Sequence, residues 1–215
     1  MKGTPMSLSQ ELWQANQDLA SACLDHPFVQ NIAGGELPHE RFAYYVSQDA
    51  FFLEAFARAY SIAAARAPDW EGFRTLHTLV GGVLDELQLH AKYAAAWKVN
   101  MRTVEPGPAT RRYTDFLLAT AWGHDTGLTT VAMLPCMRLY AFLGQELARD
   151  GLPDHDYADW IRTYSDPAIM DLAGQLAKLA DRYAGDTPLV RSTYRYAMLC
   201  ERDFFQAAWE HKKRG

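Results

Sequence analysis

The chain has 215 residues, with 21 Lys+Arg against 26 Asp+Glu and a formal net charge of -5. Hydrophobic residues make up 49% and charged residues 22%, the balance of a globular protein long enough to bury a full core. The acidic balance argues against a general nucleic-acid binder, which needs a basic face to displace counterions, and it supplies no polybasic anchor for an anionic membrane.

Proline and glycine punctuate the chain, and almost everything between them reads as helix. Residues 1–6 read as a loose leader; the opening MKGTPMSLSQ has no charged n-region followed by an apolar h-region. Ser7 or Ser9 is placed to cap a first helix running to about Leu24. His26-Pro27-Phe28 starts a short second segment that Gly34-Gly35 ends. Leu37-Pro38-His39-Glu40 opens a long helix to about Arg66, with Pro38 expected in the first turn, where its missing N–H costs little. Trp70 to about Asn100 follows, and Pro106-Gly107-Pro108 closes it. The mid-helix pair Gly81-Gly82 is unusual, because glycine there costs about 1 kcal/mol each; close approach of a neighbouring helix is the plain explanation. Ala109 to about His124 and Gly127 to about Asp150 come next. The apolar run Leu128–Leu143 in the latter is broken by Pro135 and Arg138 and is judged too short to span a bilayer. Asp156–Thr163, Pro167–Tyr183 and Thr187–Lys213 complete the set. Strand and hairpin signals are nearly absent. The pattern predicts one all-α bundle over residues 1–215, in seven to nine helices.

Three positions put reactive groups where packing alone would not. Tyr45, Asp49, Phe52 and Phe56 share a helical stripe at spacings of four, three and four. A carboxylate in an aromatic stripe either pairs with an Arg or Tyr or anchors a flat, polar heterocycle between rings. Cys136 follows Pro135, whose ring removes one helical hydrogen bond and can turn the next side chain into a cavity. Tyr140 lies on its face, within expected reach of the sulfur. A lone cysteine is commonly inert packing; a nucleophile needs its thiolate stabilised, and no Lys or His lies at helical spacing. Glu201 is an acid on an apolar face with Ala197, Met198, Phe204, Phe205 and Ala208. It is either an Arg-paired structural glutamate or an acid of raised pKa suited to protonating a ring nitrogen.

Glu86 and His90 form an i, i+4 pair that can ligate metal, but the set is not repeated on other helices, so no metal is expected. Cys23, Cys136 and Cys200 lie far apart, without metal-ligand spacing or the even count of a disulfide framework. Reduced thiols and the missing signal make a cytoplasmic protein the expectation.

Taken together, the motifs resemble the TenA family, also called thiaminase II or aminopyrimidine aminohydrolase. They run in order as His26-Pro27-Phe28, Leu37-Pro38 leading to Tyr45 and Gln48-Asp49, and Glu86-x-x-Leu89-His90-x-x-Tyr93. Tyr113-Thr114-x-Phe116-Leu117 and Leu134-Pro135-Cys136-x-x-x-Tyr140 follow. Tyr157-x-x-Trp160-Ile161-x-x-Tyr164 and Glu201-x-x-Phe204-Phe205-x-x-Ala208 close the series. Phe204-Phe205 stands where many relatives have Phe-Trp. The resemblance implies a haem-oxygenase-like helical bundle, a homotetramer, and no haem, metal or other cofactor. It implies a small-molecule aminopyrimidine as partner, with neither nucleic acid nor membrane. The implied reaction replaces the leaving group on the methylene of 4-amino-5-aminomethyl-2-methylpyrimidine, or of thiamine, by water. By the same resemblance Cys136 is the nucleophile and Glu201 the acid/base on a ring nitrogen. Asp49 binds the aminopyrimidine edge, Phe52 packs on the ring, and Tyr113, Tyr140 and Tyr164 line the pocket. Two rival readings stay open: a di-iron oxidase on the same bundle, and a non-catalytic pyrimidine-binding regulator.

Overall fold

The computed structural model describes residues 5–96 and 105–211, with side chains for 5–88 and 105–211. Its regular structure is entirely helical: α1 (Leu8–Gln14), α2 (Gln17–Leu24), α3 (Pro27–Gly34), α4 (His39–Ala65), α5 (Trp70–Ala96), α6 (Pro108–Gly123), α7 (Thr126–Leu147), α8 (Ala158–Ser165), α9 (Pro167–Tyr183) and α10 (Pro188–Glu210). Residues 1–4 of the expected leader, 97–104 and 212–215 lie outside the described residues.

Local chemistry explains where the helices start. His26 accepts the Phe28 N–H at 3.1 Å and Pro27 takes the first position of α3. Asp125 caps α7 through the Leu128 N–H at 2.8 Å, and Asp166 caps α9 through Ala168 at 2.8 Å. Three expectations need correction. The first helix is two, because Asn16 folds its amide back onto the Leu12 carbonyl at 2.8 Å and accepts from Arg195 of α10 at 3.1 Å. Pro38 caps α4 from outside, with an extended ψ of 130°, rather than joining its first turn. And α8 begins at Ala158, not Asp156, since the His155 ring accepts the Tyr157 N–H at 3.1 Å and holds the entry loop.

Helix α7 is the hub, packed by α4, α6, α8, α9 and α10. Its 22 residues are long and apolar enough to fit a bilayer, so the expectation of a run too short to span one does not hold. Burial within the bundle, 78% over its most apolar window, accounts for that composition. The helix runs on through Pro135.

Close helix approach occurs on α7, not at Gly81-Gly82. Among the described residues a Cβ at Gly81 would meet nothing within 4 Å, and one at Gly82 only Leu172 Cδ1 at 3.5 Å. At Gly144, by contrast, a Cβ would overlap the backbone carbonyl of Tyr164, and at Gly127 that of Tyr183. Gly144 thus lets α8 lie directly on α7 and sets the depth of Tyr164. Gly144→Ala should cost about 1–3 kcal/mol through forced separation of the two helices, read as a lower denaturation midpoint at unchanged m-value.

Candidate active site

Helix α4 supplies Asp49 and Phe52 from the stripe seen in the sequence; Tyr45, Asp49, Phe52 and Phe56 are all buried. Helix α7 supplies Cys136 and Tyr140, four residues apart and therefore on one face. Tyr164 arrives from α8, Tyr113 from α6 and Glu201 from α10. Asp49, Phe52, Cys136, Tyr140 and Tyr164 line a single cleft, joined by Glu86, Met137 and Ile169. The cleft is narrow, with about 30 Å³ of free volume.

Glu201 and Tyr113 stand behind the sulfur. Glu201 is 2% exposed, accepts the Tyr113 hydroxyl at 2.7 Å and stands beside the Cys136 thiol. Burial in this apolar setting pushes the Glu201 carboxyl up to about 8; the Tyr113 hydrogen bond pulls the other way, and the nearby Asp49 charge adds to the rise. Burial also lifts the Cys136 thiol well above its ordinary range, reinforced by the charges of Glu201, Glu86 and Asp49. The resting group is thus a neutral thiol beside an acid that titrates near neutrality. Among the described residues neither is paired with an arginine.

Around this pair the aromatic walls are tied in place. The Trp160 indole donates to the Tyr45 hydroxyl at 3.3 Å, and Tyr45 donates to Tyr140 at 3.1 Å. Tyr164 donates to Glu86 Oε1 at 2.7 Å. Phe52 packs on Tyr113 with ring centroids 4.8 Å apart, and Tyr140 on Tyr164 at 4.7 Å. Phe205, in the Phe204-Phe205 departure, is fully buried and packs under Tyr140 at 5.8 Å and against Phe28 at 5.7 Å. The floor of the site is therefore kept.

Of the seven expected site residues five line the cleft, and the other two, Tyr113 and Glu201, are hydrogen-bonded to each other beside Cys136. The Tyr140 hydroxyl, expected to reach the sulfur, is engaged by Tyr45 instead, because Tyr45 comes one helix over at the same level. Glu86 was legible only as half of a metal pair; its place in the wall depends on how α5 crosses α4. The His90 side chain lies outside the described residues. Among the described residues no three His, Cys, Asp or Glu side chains gather into a metal-binding group. Ile169 carried no signal at all, being one apolar residue in the first turn of α9.

An aromatic cleft lined by a thiol and a buried carboxylate, with a second buried acid of raised pKa beside the sulfur, has the make-up of a small-molecule site in an all-helical bundle. The family described as TENA/THI-4/PQQC matches residues 13–212, and the chain belongs to it. It is 34% identical over 208 residues to the thiamine biosynthesis multifunctional protein ThiED of Corynebacterium efficiens, covering 93% of this chain and 28% of that protein. It thus spans less than a third of that relative's length. It is 32% identical over 164 residues to the aminopyrimidine aminohydrolase of Bacillus subtilis, covering 74% of this chain and 69% of that one. The solved TenA homologue of P. horikoshii OT3 superposes with TM-score 0.87 at 26% identity, over 95% of this chain and 99% of that one. A solved Shewanella denitrificans domain described as having a heme oxygenase-like fold covers 96% of this chain and 94% of its own, with TM-score 0.74 at 10% identity. That is a likeness of fold alone, and the fold here is of that class.

Proposed function

We propose that the chain is an aminopyrimidine aminohydrolase of the thiaminase II type, acting by covalent catalysis through Cys136. The observation that carries this reading is the aromatic cleft that Asp49 and Cys136 line together, with the buried Glu201 carboxyl beside the sulfur. The names of the aminohydrolase and thiamine biosynthesis relatives support it.

The chemistry follows from what the residues hold. An exocyclic methylene keeps its leaving group while the pyrimidine is aromatic, because expulsion has no electron pair behind it. Addition of the Cys136 sulfur to the ring breaks aromaticity and divides one hard step into two easier ones. As the sulfur adds, Glu201, which holds a proton at neutral pH, gives that proton to a ring nitrogen and takes up the thiol proton in its place, so the addition needs no net proton. The 4-amino group then pushes out the leaving group, water adds to the methylene, and the sulfur departs. Asp49 accepts from the aminopyrimidine edge and fixes the ring's orientation, while Phe52, Tyr140 and Tyr164 stack and hydrogen-bond around it. A ring needs more than the 30 Å³ now free, so its entry moves the flexible Met137 side chain, which is only partly buried.

By resemblance to its family, the protein is proposed to act as a cytoplasmic homotetramer. Incubation with 4-amino-5-aminomethyl-2-methylpyrimidine should release ammonia with formation of the hydroxymethyl product. Incubation with thiamine should release the thiazole. No product from either compound would overturn the proposal.

A further inference from the structure

A second cavity opens beside the cleft. It holds about 320 Å³, the size of a small-molecule site, and shares Glu86, Met137 and Ile169 with the cleft. Tyr60 of α4, Gly82 of α5 and Leu172 of α9 are among its remaining walls. Two independent features mark it as more than a packing defect. Gly82 lies in the interior of α5, where glycine costs about 1 kcal/mol relative to alanine. Among the described residues no neighbour requires that glycine, since a Cβ would meet only Leu172 Cδ1 at an ordinary 3.5 Å. What a larger side chain there would remove is cavity volume. Tyr60 is fully buried, and its hydroxyl has no hydrogen-bond partner among the described residues. Such an orphan ordinarily costs about 1–3 kcal/mol, which a ligand group in the cavity would recover.

We propose that this chamber takes the leaving group of the substrate and that Gly82 sets the size it admits. The inference rests on the aminohydrolase reading above. Met137 follows Cys136 in the chain and lines both spaces, so a substituent on a ring engaged by Cys136 has the chamber within reach past Met137. Ammonia needs no such room. A substituted five-membered nitrogen heterocycle does, and apolar walls with the Glu86 carboxylate at the junction suit one that arrives as a cation. In that reaction the bond between the methylene carbon and the ring nitrogen breaks. The nitrogen keeps the electron pair and leaves neutral, water supplies the hydroxyl, and one proton is released.

The test compares kcat/KM for thiamine and for the aminomethyl compound in the full-length wild type, Gly82→Ala, Gly82→Leu and Leu172→Trp, each first checked for a cooperative melt. Gly82→Leu fills the chamber from α5, and Leu172→Trp fills it from α9 should the first variant fail to fold. In both, the ratio of thiamine to aminomethyl kcat/KM should fall at least about tenfold. Gly82→Ala, which removes less of the volume, should lower the ratio in the same direction and by less. A ratio unchanged in the filled variants, or a wild type that releases ammonia but no thiazole, overturns the chamber assignment and leaves the aminohydrolase reading standing. A wild type that turns over neither compound overturns both.

Discussion

Cys136→Ser is expected to bind the aminomethylpyrimidine about as well as the wild type while losing turnover by on the order of 10³-fold or more. Binding survives because the recognition groups are elsewhere: Asp49 on α4, the ring walls on α4, α7 and α8. Glu201 keeps the Tyr113 hydroxyl as its donor in the variant, so no buried acceptor is abandoned. Turnover fails for a reason specific to the acid behind the sulfur. Glu201, pushed up to about 8 by its burial, becomes, once it has given its own proton to the ring, a strong enough base to draw the proton of a thiol but far too weak for that of an alcohol. Ligand titration and single-turnover kinetics on the same preparation separate the two effects. Equal turnover in the variant would remove sulfur from the mechanism.

Much of this site was visible in the sequence because its polar members sit on otherwise apolar helical faces. Asp49 stands out in the Tyr45–Phe56 stripe and Glu201 among Ala197, Phe204 and Ala208; both are indeed buried. Cys136 was ambiguous by the same logic, since a cysteine on an apolar face is ordinary. Only its tertiary neighbour, Glu201 from the last helix, separates it from Cys23 and Cys200, whose thiols burial also raises. The helix order was legible from Pro and Gly punctuation. The break at Asn16 was not, because it depends on Arg195, 179 residues away in sequence. The chamber beside the cleft was illegible for a deeper reason. Tyr60, Leu79, Val83 and Leu172 are each unremarkable as apolar packing residues, and a void is a property of how five helices fail to meet. Gly81-Gly82 was the one trace it left in the sequence, and the expectation of a close helix crossing there attached the wrong cause to it.

Glu201→Gln is expected to make the protein more stable at neutral pH and nearly inactive, and the pH dependence of the gain identifies its origin. In the folded chain the carboxyl keeps its proton up to about pH 8, whereas the unfolded chain loses it near the model-compound value of 4.5. Below 4.5 both states are protonated and the group contributes nothing. Between 4.5 and 8 the folded state holds the extra proton, so wild-type stability falls by about 1.4 kcal/mol per pH unit from this group alone; above 8 it falls no further. Glutamine is neutral throughout and still accepts from the Tyr113 hydroxyl. The variant should therefore match the wild type at pH 4 and exceed it by about 3 kcal/mol at pH 7, seen as a Tm higher by on the order of 5–10 °C. Turnover should drop about 10²–10⁴-fold, because an amide can neither give a proton to the ring nor take up that of the thiol. A stability difference that does not change between pH 4 and pH 7 would mean that Glu201 ionises normally in the folded chain. The acid would then lack the proton affinity that the thiol, at its own raised pKa, requires of it. The destabilised carboxyl is thus the same property that makes the site reactive, which is the usual relation between stored cost and function in a buried catalytic group.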